Sequence, residues 1–177
     1  MEPACPRYPA VTGPLPPPSI VRLTIDGAAV AGSDIPIVTG QTDLRTILAT
    51  MEPSLSDIEF GFGAIADPAA ADAIEGIIAT FVEDEGVSVV APTRALAEAG
   101  VAHSPGWAMI SLTVHSSLSA VGLTAALASA LAEEGISANI VAAYFHDHLF
   151  VPWEQRDRAM AIISALAADA AGGVLHE

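Results

Sequence analysis

Residues 109–153 read MISLTVHSSLSAVGLTAALASALAEEGISANIVAAYFHDHLFVPW, and this stretch decides the fold. The hydrophobic pattern predicts a strand over residues 108–114, a helix over 119–134 that ends at Gly135, and a strand over 136–145. A turn at His146-Asp147 and a further strand over residues 148–151 complete the pattern. Most of the unusual polar residues of the chain lie in the two loops of this stretch.

The C-terminal end of the chain continues the same succession of elements. A helix is predicted over residues 154–170, and residues 172–175 could form a last short strand. The order β-α-β-β-α with a closing strand is typical of α+β folds, in which helices cover one face of a mostly antiparallel sheet.

The N-terminal half carries a similar but less regular succession. The predicted elements are a strand over 19–25, a helix over 43–51 capped by Thr42, a strand over 58–65, a helix over 67–84, a strand over 87–91 and a helix over 93–99. A helix end, a glycine and a β-branched strand recur near residues 86 and 135. We therefore predict a disordered Pro-rich tail over residues 1–18, an N-terminal αβ unit over 19–104 and a C-terminal unit over 105–177.

Composition excludes several classes of partner. The chain has a net charge of −15 and only 6 basic residues, so it lacks the basic surface that nucleic acids and anionic membranes attract. Cys5 is the single cysteine, which rules out an intramolecular disulfide and a thiolate cluster. The N-terminus has no signal-peptide pattern and no segment has the composition of a membrane span. We expect a soluble, cytoplasmic protein.

The loop over residues 115–119 is the first candidate functional element. It joins a strand to the predicted start of a helix, where free N–H groups and the helix dipole favour an anion. Gly122 would then lie in the first helical turn, where glycine is unfavourable unless something approaches the backbone. In the alternative interpretation Ser117 or Ser119 merely caps the helix, Gly122 packs on a strand and His115 faces solvent.

The motif His146-Asp147-His148 is the second candidate. With His115 it could supply ligands for a metal ion, but a two-residue turn need not direct both imidazoles to one point. His115 and Ser116 are also neighbours that suggest nucleophilic catalysis, although no Gly-x-Ser-x-Gly motif and no orienting carboxylate accompany them. The residues therefore favour a polar hairpin tip, with no metal, no cofactor and no catalytic residue.

Two motifs together resemble a known family. Residues 112–125 (LTVHSSLSAVGLTA) and 135–152 (GISANIVAAYFHDHLFVP) are similar to a bacterial group of small stand-alone ACT-domain proteins. The similarity is dense over the C-terminal unit, thinner over the N-terminal one, and absent before Gly40. It implies a ferredoxin-like βαββαβ ACT unit preceded by a second, degenerate ACT-like unit.

The resemblance also implies a function, because ACT domains are generally regulatory modules that bind amino acids or similar molecules. In such a protein the backbone near residues 118–122 would hold a carboxylate, and Asn139 would contact the ammonium group. The residues to which the resemblance assigns the ligand are His115, Ser116, Ser117, Leu118, Val121, Gly122, Leu123, Asn139 and Ile140. It predicts a non-catalytic homodimer. The alternatives are a protein-interaction module without ligand, or a metal-dependent enzyme that uses His115, His146 and His148.

Overall fold

A computed structural model of the chain describes residues 40–173. The predicted tail over residues 1–18 and the strand over 19–25 lie outside the described residues, as does the end of the predicted last strand. The described part forms two compact units. Unit 1 comprises residues 60–105, and unit 2 comprises residues 40–59 together with 106–173.

The chain is a mixed α+β protein with antiparallel strand pairs, which confirms the predicted fold class. Its elements are α1 (Leu44–Thr50), β1 (Pro53–Ile65), a 3₁₀ helix (Pro68–Ala73), β2 (Ala79–Glu83), β3 (Gly86–Pro92), α2 (Thr93–Glu98), β4 (His103–Leu112), α3 (Leu123–Glu133), β5 (Asn139–Ala142), β6 (Asp147–Pro152), a second 3₁₀ helix (Trp153–Gln155) and α4 (Arg156–Gly172).

Unit 2 has the strand order of a ferredoxin-like sheet. Its strands follow the order β1-β4-β6-β5, and α3 connects β4 to β5. Residues 53–59 of β1 take the outer position beside β4, which a C-terminal strand after α4 would otherwise occupy. The predicted strand at residues 172–175 is wrong at its start, because Gly172 ends α4 and Gly173 follows it with a positive φ of 83°.

Helices α1, α3 and α4 bury their apolar residues in a single core in unit 2. The residue spacing that predicted α1 is confirmed, since Ile47, Leu48 and Met51 are all buried there. The cap differs from the prediction: Asp43 rather than Thr42 precedes the helix, and its carboxylate accepts from the N–H of Thr46 at 2.8 Å.

Unit 1 follows the order β2-β3-β1-β4 and has a smaller core. The predicted helix over residues 67–84 is wrong. A 3₁₀ helix replaces its first part, Gly76 turns the chain with a φ of 71°, and β2 replaces its second part. The residues Thr80-Phe81-Val82 are β-branched or aromatic, and they pair with β3 instead of continuing a helix. A short 3₁₀ helix therefore stands between β1 and β2 in place of the predicted long helix.

The boundaries of the units differ in part from the predicted domains. The division between residues 105 and 106 is close to the predicted one, but residues 40–59 group with the C-terminal residues. The domain assignment of the full chain, including residues 1–39, stays a prediction.

Candidate ligand-binding site

The segment before α1 lies along the loop between β4 and α3. The N–H of Gln41 donates to the carbonyl of His115 at 2.9 Å, and the N–H of Ser117 donates to the carbonyl of Gln41 at 2.8 Å. These two bonds form a parallel bridge between Gln41 and Ser116. The loop is therefore held from one side by a segment that is distant in sequence.

Two glycines allow this close packing. A Cβ at Gly40 would lie 2.5 Å from the nitrogen of Ser117, so a larger residue would displace the loop. A Cβ at Gly122 would lie 2.9 Å from Cδ2 of Leu44, the first residue of α1. The loop is thus packed against Gly40 at Ser117 and against the first residue of α1 at Gly122.

Helix α3 begins at Leu123, four residues later than predicted. Gly122 precedes it in the left-handed region, with φ 98°, and in the described structure no side chain caps this end of the helix. Ser117 and Ser119 do not cap it; instead the hydroxyl of Ser117 accepts from the N–H of Ser119 at 3.2 Å within the loop. The first N–H groups of an α-helix have no intrahelical partner. The N-terminus of α3 therefore retains N–H donors and the positive end of the helix dipole.

Ser116 connects the loop to strand β6. Its hydroxyl donates to Oδ2 of Asp147 at 2.7 Å. Asp147 is only 7% exposed and is the one buried charged residue in the described part of the chain. The sequence placed Asp147 in a two-residue turn, which is wrong: residues 143–146 form the hairpin loop, and Asp147 is the first residue of β6, paired with Ala142.

The middle of the loop is apolar and open to solvent. Leu118 is 69% exposed and Val121 is 84% exposed, whereas Leu123 is buried in the core. Leu118 and Val121 are therefore available to a ligand or partner, while the predicted contact with Leu123 would require the core to open.

The ring of His115 packs beside the β5–β6 hairpin. Its centroid lies 5.5 Å from that of Phe145 and 6.5 Å from that of Tyr144. The two aromatic rings are themselves in edge-to-face contact, at 4.8 Å. His115 is half-buried among these rings and does not face solvent alone.

The hairpin histidines have separate surroundings. Nδ1 of His148 lies 2.8 Å from the hydroxyl of Ser111 on β4, whereas Nδ1 of His146 is buried without a partner in the described residues. Burial lowers the pKa of His148, the charge of nearby His146 lowers it further, and Asp147 partly opposes both effects. Within residues 40–173 no three His, Cys, Asp or Glu side chains are grouped to hold a metal ion.

The two predicted residues on β5 occupy opposite faces of the sheet. Ile140 pairs with Leu149 and packs against the core, on the side of the helices. Asn139 pairs with Phe150, and alternation along the strand places it on the other face. Its predicted contact with the ammonium group stays a prediction.

The hydroxyl of Ser116 contacts a carboxylate rather than an imidazole. A serine nucleophile needs a neighbouring base that is itself oriented by a third group. The bond from Ser116 to Asp147 instead fixes the loop to the sheet.

The sequence interpretation did not identify Gly40, Gln41 and Leu44 as neighbours of the site, and it considered Asp147 only in a turn and a possible metal motif. The sequence could have indicated that Asp147 belongs to a strand, because it directly precedes residues 148–151, of which 149–151 are apolar. Gly40 and Gln41 gave no such indication, since their partners lie more than seventy residues further along the chain.

The two units define a protein built from a pair of ferredoxin-like α+β domains. Residues 39–105 and residues 103–165 each match an ACT-domain family. The chain therefore belongs to the ACT-domain family, as its resemblance predicted, and ACT domains are regulatory modules. No helix within residues 40–173 is long and apolar enough to cross a membrane.

Solved structures with a similar fold come from several bacteria. A Vibrio cholerae protein of unknown function, described as a "Possible Transport Protein", is 40% identical, covers 70% of this chain and 95% of its own, and has a TM-score of 0.63. A protein from Agrobacterium tumefaciens is 18% identical over 66% of this chain and 89% of its own, with a TM-score of 0.55.

An aspartate kinase from Clostridium acetobutylicum shares the fold at low identity. It is 12% identical over 64% of this chain and 34% of its own, with a TM-score of 0.55. Comparison with curated proteins finds no match.

Proposed function

We propose that this chain is a regulatory protein that binds a small amino-acid-like ligand at the loop between β4 and α3, and that it has no reaction of its own. One observation carries the proposal: left-handed Gly122 precedes α3, and among the described residues no side chain caps the first N–H groups of that helix. Such a helix end favours a carboxylate.

The apolar residues beside this helix end support the same proposal. Leu118 and Val121 are exposed in the loop that leads to Gly122, although burial of such side chains is favourable. A ligand with a carboxylate and an apolar side chain would engage both features. The loop residues His115, Ser116 and Ser117 would line the site.

The proposal is tested by a thermal-shift screen of the twenty proteinogenic amino acids, followed by calorimetry. A ligand that binds only the native state raises the melting temperature. We expect at least one amino acid to do so at millimolar concentration. If no amino acid shifts the melting temperature and calorimetry confirms that none binds, the proposal is wrong.

Two glycine variants separate binding from simple destabilisation. Gly122→Ala and Gly135→Ala each place a side chain at a positive φ, at the two ends of α3. Such a backbone costs about 1–2 kcal/mol in both variants. Only the Cβ at position 122 also meets Leu44, whereas the one at position 135 meets no atom of residues 40–173 within 4 Å. We expect Gly122→Ala to weaken ligand binding about tenfold or more and Gly135→Ala to leave it unchanged.

The exposure of Leu118 and Val121 also favours a second candidate function, a protein-interaction module without ligand. In that case Gly122→Ala would change the association of the protein while no amino acid binds. We further propose that the protein is a cytoplasmic homodimer.

A further inference from the structure

We infer that Asp147 and Ser116 together form the subsite that binds the ammonium group of the ligand. This inference rests on the proposed function and names the residues that would hold one part of its ligand. It assigns the ammonium group to Asp147, where the sequence had suggested Asn139.

Asp147 is a buried carboxylate whose charge acts on His148, but among the described residues no imidazole donates a hydrogen bond to it. Its only side-chain hydrogen bond within residues 40–173 comes from Ser116. An ionised carboxylate offers about four acceptor positions, and leaving a buried charge unpaired is costly. Asp147 therefore retains acceptor capacity for a donor that the described chain does not supply.

The described arginines do not supply the missing positive charge. Four of the six arginines lie within residues 40–173, and none of them forms an ion pair with Asp147. Arg94 pairs with Glu98, and Arg158 pairs with Glu134. Arg156 stacks on Trp153, 4.2 Å from its ring centroid, and the guanidinium of Arg45 lies beside Gly173.

The position of Asp147 suits the ammonium group of a ligand whose carboxylate lies at the start of α3. Asp147 opens β6 opposite Leu112, the residue that ends β4, and the loop from β4 to α3 starts at this end of the strand pair. Ser116 belongs to that loop and donates its proton to Asp147, so its lone pairs can accept from an ammonium group. One loop thus carries the carboxylate-favouring helix end and the residue that contacts the buried carboxylate.

A first experiment uses the wild-type protein and matched probes. Calorimetry compares alanine with propionate, leucine with 4-methylpentanoate, phenylalanine with 3-phenylpropionate, and aspartate with succinate. Each pair differs only by the α-ammonium group. We expect an amino acid that binds to do so about 10- to 100-fold more tightly than its partner, as for the loss of a charged hydrogen bond.

A second experiment uses four variants. Asp147→Asn keeps the shape of the side chain and removes its charge; we expect it to abolish the preference for the amine while affinity for the deaminated probe stays within about threefold. Ser116→Ala should reduce the preference without abolishing it, because one acceptor is lost while the carboxylate of Asp147 remains. Asn139→Ala tests the alternative acceptor, and Asp57→Asn is a control at an exposed carboxylate. Both should retain the preference.

The outcomes are distinguishable. If no probe binds the wild type, the proposed function itself fails. Equal affinity for both members of each pair overturns only the inference. The inference also fails if Asp147→Asn lowers the affinity for both probes of a pair equally, since Asp147 would then merely position the loop. If Asp147→Asn does not fold, Asn139→Ala decides the question. A preference for the amine that persists in Asn139→Ala supports the subsite at Asp147. A preference that is lost in Asn139→Ala overturns it.

Discussion

Gly122 and Gly40 show how far single residues could be interpreted from the sequence. Gly122 was identifiable because glycine is unfavourable inside a predicted helix. The sequence did not reveal its left-handed φ, however, so the start of α3 was placed four residues too early. Gly40 gave no local signal at all, since its importance comes from the backbone of Ser116 and Ser117.

Asp147 illustrates a second limit at the residue scale. The pair His146-Asp147 has the composition of a turn, and the sequence interpretation placed a turn there. Pairing of Asp147 with both Leu112 and Ala142 extends the strand by one residue instead. Tertiary pairing overrode the local preference, and the buried carboxylate became visible only in the structure.

His148 gives a pH prediction at this scale. Burial lowers its pKa in the folded protein below the ordinary value of 6.5, so the unfolded chain binds the proton more readily. The contribution of His148 is therefore fully present above about pH 6.5 and is lost as the pH falls from there through the folded pKa. Denaturation of wild type and His148→Asn at about pH 7.5 and 5.5 measures this. Wild type should lose more stability than the variant on acidification, and an equal loss in both would contradict the assignment.

The helix prediction was confirmed for α1 and wrong for residues 67–84, and the difference has a physical reason. The apolar residues of α1 recur at helical spacing and are buried against other helices, so pattern and packing agree. The later segment has the same spacing, from Ile74 to Val82. Its second half nevertheless pairs with β3, and Phe81 and Val82 remain exposed. Periodicity alone could not distinguish these cases.

The burial of α1 in unit 2 leads to a stability prediction. Ile47 is completely buried, whereas Ile58 on β1 of the same unit is 46% exposed. Ile47→Ala should therefore lower the free energy of unfolding by about 2–5 kcal/mol, the usual cost of such a cavity. Ile58→Ala should cost well under half as much. Urea denaturation measures both, and similar costs would show that α1 is not part of the cooperative core.

At the scale of the whole molecule, local patterns supplied the elements but not the strand order. The C-terminal unit was correctly predicted as ferredoxin-like, because the order of elements and the two quoted motifs agreed. That residues 53–59 take the outer position beside β4 was not predictable, since this pairing joins parts of the chain about fifty residues apart. The repeated helix–glycine–strand pattern predicted two similar αβ units, and the resemblance identified them as ACT units.

The net charge of the chain leads to a prediction about how dimer formation depends on salt. Each chain carries a charge of −15, so two copies repel each other at low ionic strength. Salt screens this repulsion beyond about 10 Å at 0.1 M. If the proposed homodimer forms, light scattering should give twice the 18.0 kDa of one chain, with a dimer fraction that rises with sodium chloride. Glycerol, which does not screen charge, is the control. A single-chain mass at every salt concentration, at protein concentrations well above micromolar, would show that the regulatory unit is the monomer.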